Sequence, residues 1–324
     1  MPTRKILIIL PNWLGDTIMA TPAIELLCKY YPHARFTFVG SFVSIEALKY
    51  HPRCEKAIVD ETKKASNRVL ATYKLARELG EFDLALSFRN QLHASLLLRF
   101  TNTVICIAKR SWHSLFLLSH TPKISTKQHL VEQYAKLAMT NVDSFDSNIG
   151  KLKLYIEPKK FSRPTLGINA GATYGSAKRW YPERFAEVAK EFSDEFDILI
   201  FGGVNEVTMA NEIEQNLGVP CTNLAGKTTI AELCANIGGL TLFITNDSGP
   251  MHVAAAFGVP TVAIFGPTKH TETSQWMNEK STIVRHEMEC SPCMKRECPL
   301  GHHECMKSIT ANEVIEAVKE LEVH

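Results

Sequence analysis

The run Asn246-Asp247-Ser248-Gly249-Pro250-Met251-His252 joins a short apolar segment, Leu242–Thr245, to a helical pattern starting at Pro250, and a second apolar run, Thr261–Phe265, follows. A polar Asp-Ser-Gly turn between a buried strand and a helix start leaves backbone N–H groups without helical partners. The helix dipole behind them favours an anion, most often a phosphate. Pro250 suits the first helical position, where the N–H it lacks would be unpaired. Small Ala254–Ala256 lets such a helix lie close to a sheet. The plain alternative is a βαβ connection with a polar corner.

Upstream, Gly167-Ile-Asn-Ala-Gly171-Ala-Thr173-Tyr174-Gly175-Ser176-Ala177-Lys178-Arg179 leads from a strand through a small, hydroxyl-bearing loop to two cations and a helix at Pro182. Thr173 and Ser176 hydroxyls, loop N–H groups and the Lys178 ammonium can converge on a diphosphate. A solvated Lys-Arg pair ahead of a helix is the other reading. The G-x-x-x-x-G-K-[ST] order of a Walker loop is absent. Glu206, after the Gly202-Gly203 corner, can hold a ribose diol or cap a helix. Near the start, Pro11-Asn12-Trp13-Leu14-Gly15-Asp16 lacks the G-x-G-x-x-G fingerprint, which disfavours hydride transfer with a nicotinamide. It does carry a carboxylate at a strand-to-helix junction, Asp16, fit for a helix cap or a general base. Cys290-Ser-Pro-Cys293 has metal-ligand spacing and is followed by Cys298, His302, His303 and Cys305. The loop between the pairs is short and the second pair lies outside the usual range. Reduced structural cysteines are therefore preferred to zinc, and no metal is assigned.

These residues need two α/β units to position them. Short apolar runs alternating with amphipathic segments argue for βαβ units and parallel sheets. The expected strands are Ile6–Leu10, Phe36–Val39, Ala57–Val59, Leu84–Phe88 and Val104–Ile107, then Thr165–Asn169, Ile198–Phe201, Leu242–Thr245 and Thr261–Phe265. Helices are expected at Thr17–Tyr30, Ser66–Leu79 and Leu92–Phe100, then Pro182–Phe192, Val207–Leu217, Ile230–Ile237, Met251–Phe257 and Ala311–Leu321. The fold class is thus α/β, with two doubly wound Rossmann-like domains facing a cleft and ligands at the carboxyl ends of the strands. The boundary is expected near the polar Asn141–Asn148 stretch or in the following Glu157–Pro164 stretch, with domains set at 1–155 and 156–310. The last helix, 311–321, is a candidate to cross back onto the first domain. At 324 residues, 45% hydrophobic and 22% charged, the composition is that of a globular protein without a membrane-spanning run. Met1–Leu10 ends in Pro11-Asn12 without a small-residue cleavage site and is read as a first strand rather than a signal peptide. With nine cysteines in no obvious even framework, a reducing cytoplasm is expected. The net charge of +2 hides an asymmetry: residues 1–150 carry 19 Lys+Arg against 12 Asp+Glu, and residues 151–324 carry 17 against 22. A basic first half suits an anionic partner, although plain surface variation gives the same counts.

Taken in order, Leu10-Pro-Asn-Trp-Leu-Gly-Asp16, Met19-Ala-Thr-Pro-Ala23, Gly171–Trp180, Asn223-Leu-Ala-Gly-Lys227-Thr-Thr and Asn246–His252 resemble the ADP-heptose:lipopolysaccharide heptosyltransferases, and within them the heptosyltransferase II group. The resemblance covers nearly the whole chain, and the Cys290–Cys305 segment looks like one such enzymes carry. It implies a GT-B fold and inverting, metal-independent transfer of heptose, without a cofactor. The implied donor is ADP-L-glycero-β-D-manno-heptose, and the implied acceptor is the first heptose of a Kdo–lipid A inner core, met at the cytoplasmic face of the inner membrane. Asp16 matches the family's base position. Lys178, Thr173, Ser176 and the N–H groups around Ser248-Gly249 would meet the diphosphate. Asp247 would orient the heptose or Lys178, His252 would lie near the phosphates, Glu206 would hold the ribose, and Thr228 would line the adenosine pocket. Lys63, Lys64 and Arg68, Arg89, and Lys109 with Arg110 are candidates for the anionic acceptor, or are surface charge. No nucleic acid is expected. A nucleotide-sugar epimerase of similar architecture, a transferase acting at another core position, and a non-catalytic binding protein are the rival readings.

Overall fold

The structure is a computed structural model that describes residues 4–142 and 148–321. It divides into two compact units, Met1–Tyr155 and Ile156–His324. Most of the Asn141–Asn148 stretch, residues 143–147, lies outside the described residues.

In the first unit five parallel strands, β1 Lys5–Ile9, β2 Arg35–Gly40, β3 Cys54–Val59, β4 Leu84–Ser87 and β5 Cys106–Ala108, form a sheet of order β3-β2-β1-β4-β5. The central strands read as unbroken apolar runs because helices cover both faces: Ile6, Leu7, Ile8, Leu84 and Leu86 are fully buried. The helices are α1 Leu14–Met19, α2 Thr21–Tyr30, α3 Phe42–Leu48, α4 Arg68–Leu79, α5 Leu92–Phe100, α6 Trp112–Leu117 and α7 Leu130–Ala138. The single helix expected over Thr17–Tyr30 is two. Pro22 has no N–H to offer the Ile18 carbonyl, and the Thr21 hydroxyl donates to it instead at 2.7 Å. Strand order reverses direction between β1 and β4, which makes the carboxyl ends of these two strands the unit's switch point.

The second unit repeats the plan with β6 Thr165–Asn169, β7 Asp197–Phe201, β8 Thr222–Asn223, β9 Leu242–Asn246, β10 Thr261–Ile264 and β11 Ser281–Val284. All pairs are parallel, in the order β11-β10-β9-β6-β7-β8, so its switch point lies between β6 and β9. Its helices are α8 Pro182–Glu191, α9 Val207–Leu217, α10 Ile230–Gly238, α11 Gly249–Phe257, α12 His270–Thr273, α13 Glu304–Lys307 and α14 Ala311–Glu320. The candidate crossing of the last helix onto the first domain is corrected. α14 packs on α8, and Val314, Ile315 and Val318 share a core with Trp180 and Phe185 of the second unit. Its apolar stripe is satisfied there, at roughly 1.5–3 kcal/mol per buried side chain.

Candidate active site

In the first unit, the turn after β1 is fixed by hydroxyls. Thr17 Oγ1 lies 2.8 Å from the Trp13 carbonyl oxygen and 2.9 Å from Ser44 Oγ, sharing its one proton between them, Ser44 Oγ donates to the Pro11 carbonyl, and Ser41 Oγ donates to the Asn12 carbonyl at 2.8 Å. Ser41 also caps α3 by accepting from the Ser44 N–H at 3.2 Å. Trp13, not Asp16, is the N-cap residue of α1. Asp16 stands inside the first turn, half-buried, with its charge felt by the buried Tyr134, whose pKa is raised by burial and by that carboxylate. Thr17, Ser41 and Ser44 were not singled out from sequence, because single hydroxyls up to 27 positions apart have no linear pattern.

At the neighbouring strand ends lies a buried charge cluster. Asp60, just after β3, pairs with Arg89, just after β4, at 3.2 Å, and Arg89 Nε also donates to the Leu10 carbonyl at 2.6 Å. Burial alone would raise the pKa of Asp60, but the Thr62 hydroxyl and N–H, then Arg89 and His93, bring it below the usual value. His93 Nε2 stands 3.8 Å from Asp60 Oδ2, too far for a hydrogen bond. Burial first, then Arg68, pushes the His93 pKa down to about 4. Among the described residues, Arg68 Nε, Arg89 Nη2 and His93 Nε2 are buried nitrogen atoms without a hydrogen-bond partner. Arg68 and Arg89 were expected here; Asp60 and His93 were not. Lys63 and Lys64 lie on an exposed turn, where Lys64 pairs with Glu61 at 2.6 Å. Lys109 and Arg110 follow β5 and touch Gln133 (3.4 Å) and the Thr121 carbonyl (3.2 Å).

In the second unit the two loops picked out from sequence meet at the β6/β9 switch point. Lys178 Nζ, on the 3-10 turn Ser176–Lys178, lies 2.5 Å from Asp247 Oδ2, which also accepts from Thr268 Oγ1 at 2.5 Å. Asn246, the last residue of β9, accepts from the Trp180 N–H at 3.1 Å and donates to the Ala170 carbonyl at 2.5 Å. Asn169, the last of β6, reaches the Gly171 carbonyl and Ser248 Oγ at 3.2 and 3.3 Å. These strand-end amides tie the two loops together. They and Thr268 escaped the sequence reading because buried polar residues at strand ends carry no spacing signal. α11 starts at Gly249 with Ser248 as N-cap, one residue earlier than expected, so the Ser248-Gly249 N–H groups sit at the helix's positive end. His252 is buried in its first turn. Thr173 and Ser176 are exposed on the loop. The Glu206 carboxylate accepts from the Gly203 N–H at 2.8 Å and lies against Gly171, where a Cβ would meet it at 2.1 Å. Thr228 is half-buried just ahead of Thr229, the N-cap of α10.

Among the described residues one trio, Glu25, Cys28 and His51, has ligand atoms within 4.8 Å of one another. The Arg53 N–H donates to His51 Nδ1 at 3.1 Å, so Nε2 carries the proton and points it at Glu25 Oε1, 3.3 Å away. Lys153 and Tyr155 also bind Glu25, and the group is a satisfied polar cluster, not a metal site. Cys290, Cys293, Cys298 and Cys305 are free thiols bordering one cavity. Burial, then the neighbouring Cys293, Cys290 and Cys298, pushes the Cys305 thiol up to about 11.

Tandem doubly wound units, the second with a lysine–carboxylate pair and a helix N-terminus at its switch point, are the build of a GT-B glycosyltransferase, and the chain is an enzyme of that class. The sequence profile of glycosyltransferase family 9 (heptosyltransferase) matches residues 72–304, and the chain belongs to that family. It is 42% identical to the lipooligosaccharide heptosyltransferase 2 of Campylobacter jejuni, with 98% of each chain covered. It is also 28% identical to the lipopolysaccharide heptosyltransferase 2 of Escherichia coli, again with 98% of each covered. The solved structure of the E. coli ADP-heptose lps heptosyltransferase II superposes with a TM-score of 0.82 at 26% identity, covering 98% of both chains. No helix among the described residues is long and apolar enough to cross a membrane.

Proposed function

We propose that this chain transfers L-glycero-D-manno-heptose from ADP-heptose to the first heptose of a Kdo–lipid A inner core, with inversion at the anomeric carbon and without a catalytic metal or cofactor. The observation that carries the reading is the Lys178–Asp247–Thr268 contact beside the N-terminus of α11. It sets a fixed cation and backbone N–H groups where a diphosphate binds in doubly wound folds. The full-length similarity to proteins named heptosyltransferase 2 supports the donor and the acceptor position.

In this reading Asp16 takes the proton from the attacking hydroxyl as the anomeric bond to ADP breaks. Lys178, Thr173, Ser176 and the Ser248-Gly249 N–H groups meet the charge that grows on the leaving diphosphate, which aids the reaction only as far as these contacts strengthen toward the transition state. Asp247 holds Lys178, His252 lies by the phosphates, Glu206 takes the ribose and Thr228 the adenosine. On the acceptor side, the buried unpartnered nitrogens of Arg68 and Arg89 support a carboxylate or phosphate contact. Lys63, Lys64, Lys109 and Arg110 add exposed positive charge for a glycolipid held at the cytoplasmic face of the inner membrane.

The test is to incubate the protein with ADP-heptose and a series of truncated core acceptors, then analyse the product by mass spectrometry and NMR. One heptose added to the monoheptosylated acceptor, with inverted anomeric configuration, is expected. A product with retained configuration, or heptose placed only on the heptose-free acceptor, overturns the assignment.

A further inference from the structure

We propose that Cys290, Cys293, Cys298 and Cys305 form a tetrathiolate site for a thiophilic divalent cation, zinc or ferrous iron, and that this site holds the loop bearing Tyr174 and Lys178 in place. The four cysteines come from a 16-residue segment, yet their side chains border a single cavity together with Ala177 and His303. Four sulfur ligands and no nearby carboxylate on the cavity wall select soft, tetrahedral cations over magnesium or calcium.

The backbone around the sulfurs is shaped for thiolates. After Cys298 the chain turns through Gly301 (φ +73°) and His303 (φ +55°), which brings the His303 N–H to 3.4 Å from Cys298 Sγ. Met294, directly after the Cys290–Cys293 pair, is also left-handed at φ +57°. Non-glycine residues in this region cost about 1 kcal/mol or more each and persist where surroundings impose them. Both lie within a residue or two of a candidate ligand; the Met294 N–H is held by the Pro267 carbonyl at 2.8 Å, and the His303 N–H is the one turned to a sulfur. Among the described residues no three of the four sulfurs already lie within 4.8 Å of one another. A tetrahedral site with metal–sulfur bonds near 2.3 Å needs sulfurs ~3.8 Å apart. Side-chain rotation must therefore draw them in as each thiol gives its proton to solvent.

The segment is clamped to the donor-side loop. The Ala177 N–H donates to the Arg296 carbonyl at 3.0 Å, Tyr174 Oη donates to the Met294 carbonyl at 2.8 Å, and His303 Nε2 lies 2.9 Å from the Ala177 carbonyl. Gly175 permits the approach, since a Cβ there would stand 2.2 Å from the Arg296 oxygen. Arg296 and Lys178 both lie over the Tyr174 ring, at 5.6 and 4.9 Å. A cation fixing the four sulfurs thereby fixes Lys178.

The experiment measures metal content by plasma mass spectrometry in full-length protein purified without chelator, beside Cys298→Ser, Cys293→Ser and the control Cys54→Ser. About one zinc or iron per chain is expected in the native protein and the control, and little in the other two. Cobalt added to protein stripped of metal should give the strong visible bands of a tetrahedral thiolate site, which keeps the test open if the serine variants do not fold. Native protein that holds less than a tenth of a metal per chain and gives no such bands overturns the site. The clamp rests on the donor-loop reading; the metal content does not. Removing the metal should weaken ADP binding roughly tenfold, the size expected for loosening one or two positioning hydrogen bonds. Unchanged ADP affinity in the metal-free protein overturns the clamp, whereas failure of even the native protein to bind ADP overturns the donor-loop reading.

Discussion

Lys178 Nζ and Asp247 Oδ2 lie 2.5 Å apart, joining a loop after β6 to a loop after β9, with side chains only 12% and 4% exposed. Each is unsuited to burial alone, and Thr268 satisfies part of what remains on Asp247. Lys178→Ala should therefore lower stability by about 2–4 kcal/mol in a denaturant titration, because it strands a buried carboxylate. Lys178→Met combined with Asp247→Asn should recover much of that loss. In steady-state assays Lys178→Ala should weaken ADP-heptose binding and slow transfer together, since the diphosphate is present in both ground and transition states. Wild-type values for both parameters would remove Lys178 from the site.

Asp16→Asn should retain the fold and donor affinity while turnover falls by roughly 10²–10⁴, the size of general-base catalysis. The hydroxyls of Thr17, Ser41 and Ser44 tie the turn to the Trp13, Pro11 and Asn12 carbonyls, and Asn keeps the size of Asp, so the turn should survive the change. Turnover within a few-fold of wild type would leave the base unassigned.

His93 gives a stability signature in acid. Its folded pKa is near 4, set by burial and by Arg68, Arg89 and Lys63 against the attraction of Asp60. The unfolded value is about 6.5. Between those limits the unfolded chain binds the proton and the folded one does not, so stability is intact above about pH 6.5 and falls as pH drops toward 4. Urea midpoints measured across this window should decline less steeply for His93→Gln than for wild type. Parallel curves would mean that His93 titrates normally in the folded protein.

The strand cores and the two loops that meet at the β6/β9 switch point were readable in the sequence because apolar runs and Gly- and hydroxyl-bearing turns are local patterns. The pairing of Lys178 with Asp247, 69 positions apart, has no spacing signal of its own; the family resemblance offered it as one of two roles for Asp247, and β6 lying beside β9 in the sheet brings it about. Sheet order likewise brings Asp60, Arg89 and His93 together. β11 and α3 were missed because Ser281–Val284 and Phe42–Leu48 are too short to show a period. The mistake over α14 had another source. An amphipathic face declares that it will be buried but not against what, and Trp180 and Phe185 supplied the answer.

Exposed charge on the first unit should act on the acceptor rather than the donor. Screening acts over about 8–10 Å at physiological ionic strength. Added salt should therefore raise KM for the glycolipid more than KM for ADP-heptose. Replacing Lys63 and Lys64 together by Ala should reproduce this at low salt and leave donor binding unchanged. Equal effects on both substrates would dissociate this charge from acceptor binding.

Acceptor-dependent cleavage of ADP-heptose is read out by the release of ADP. The protein should be given ADP-heptose alone, with Kdo–lipid A, and with monoheptosylated Kdo–lipid A, with no added divalent ion. Release is expected in the third mixture only, with one ADP formed per heptose transferred. Release or donor epimerisation without acceptor, or no release in any mixture unless Mg²⁺ is supplied, would contradict it.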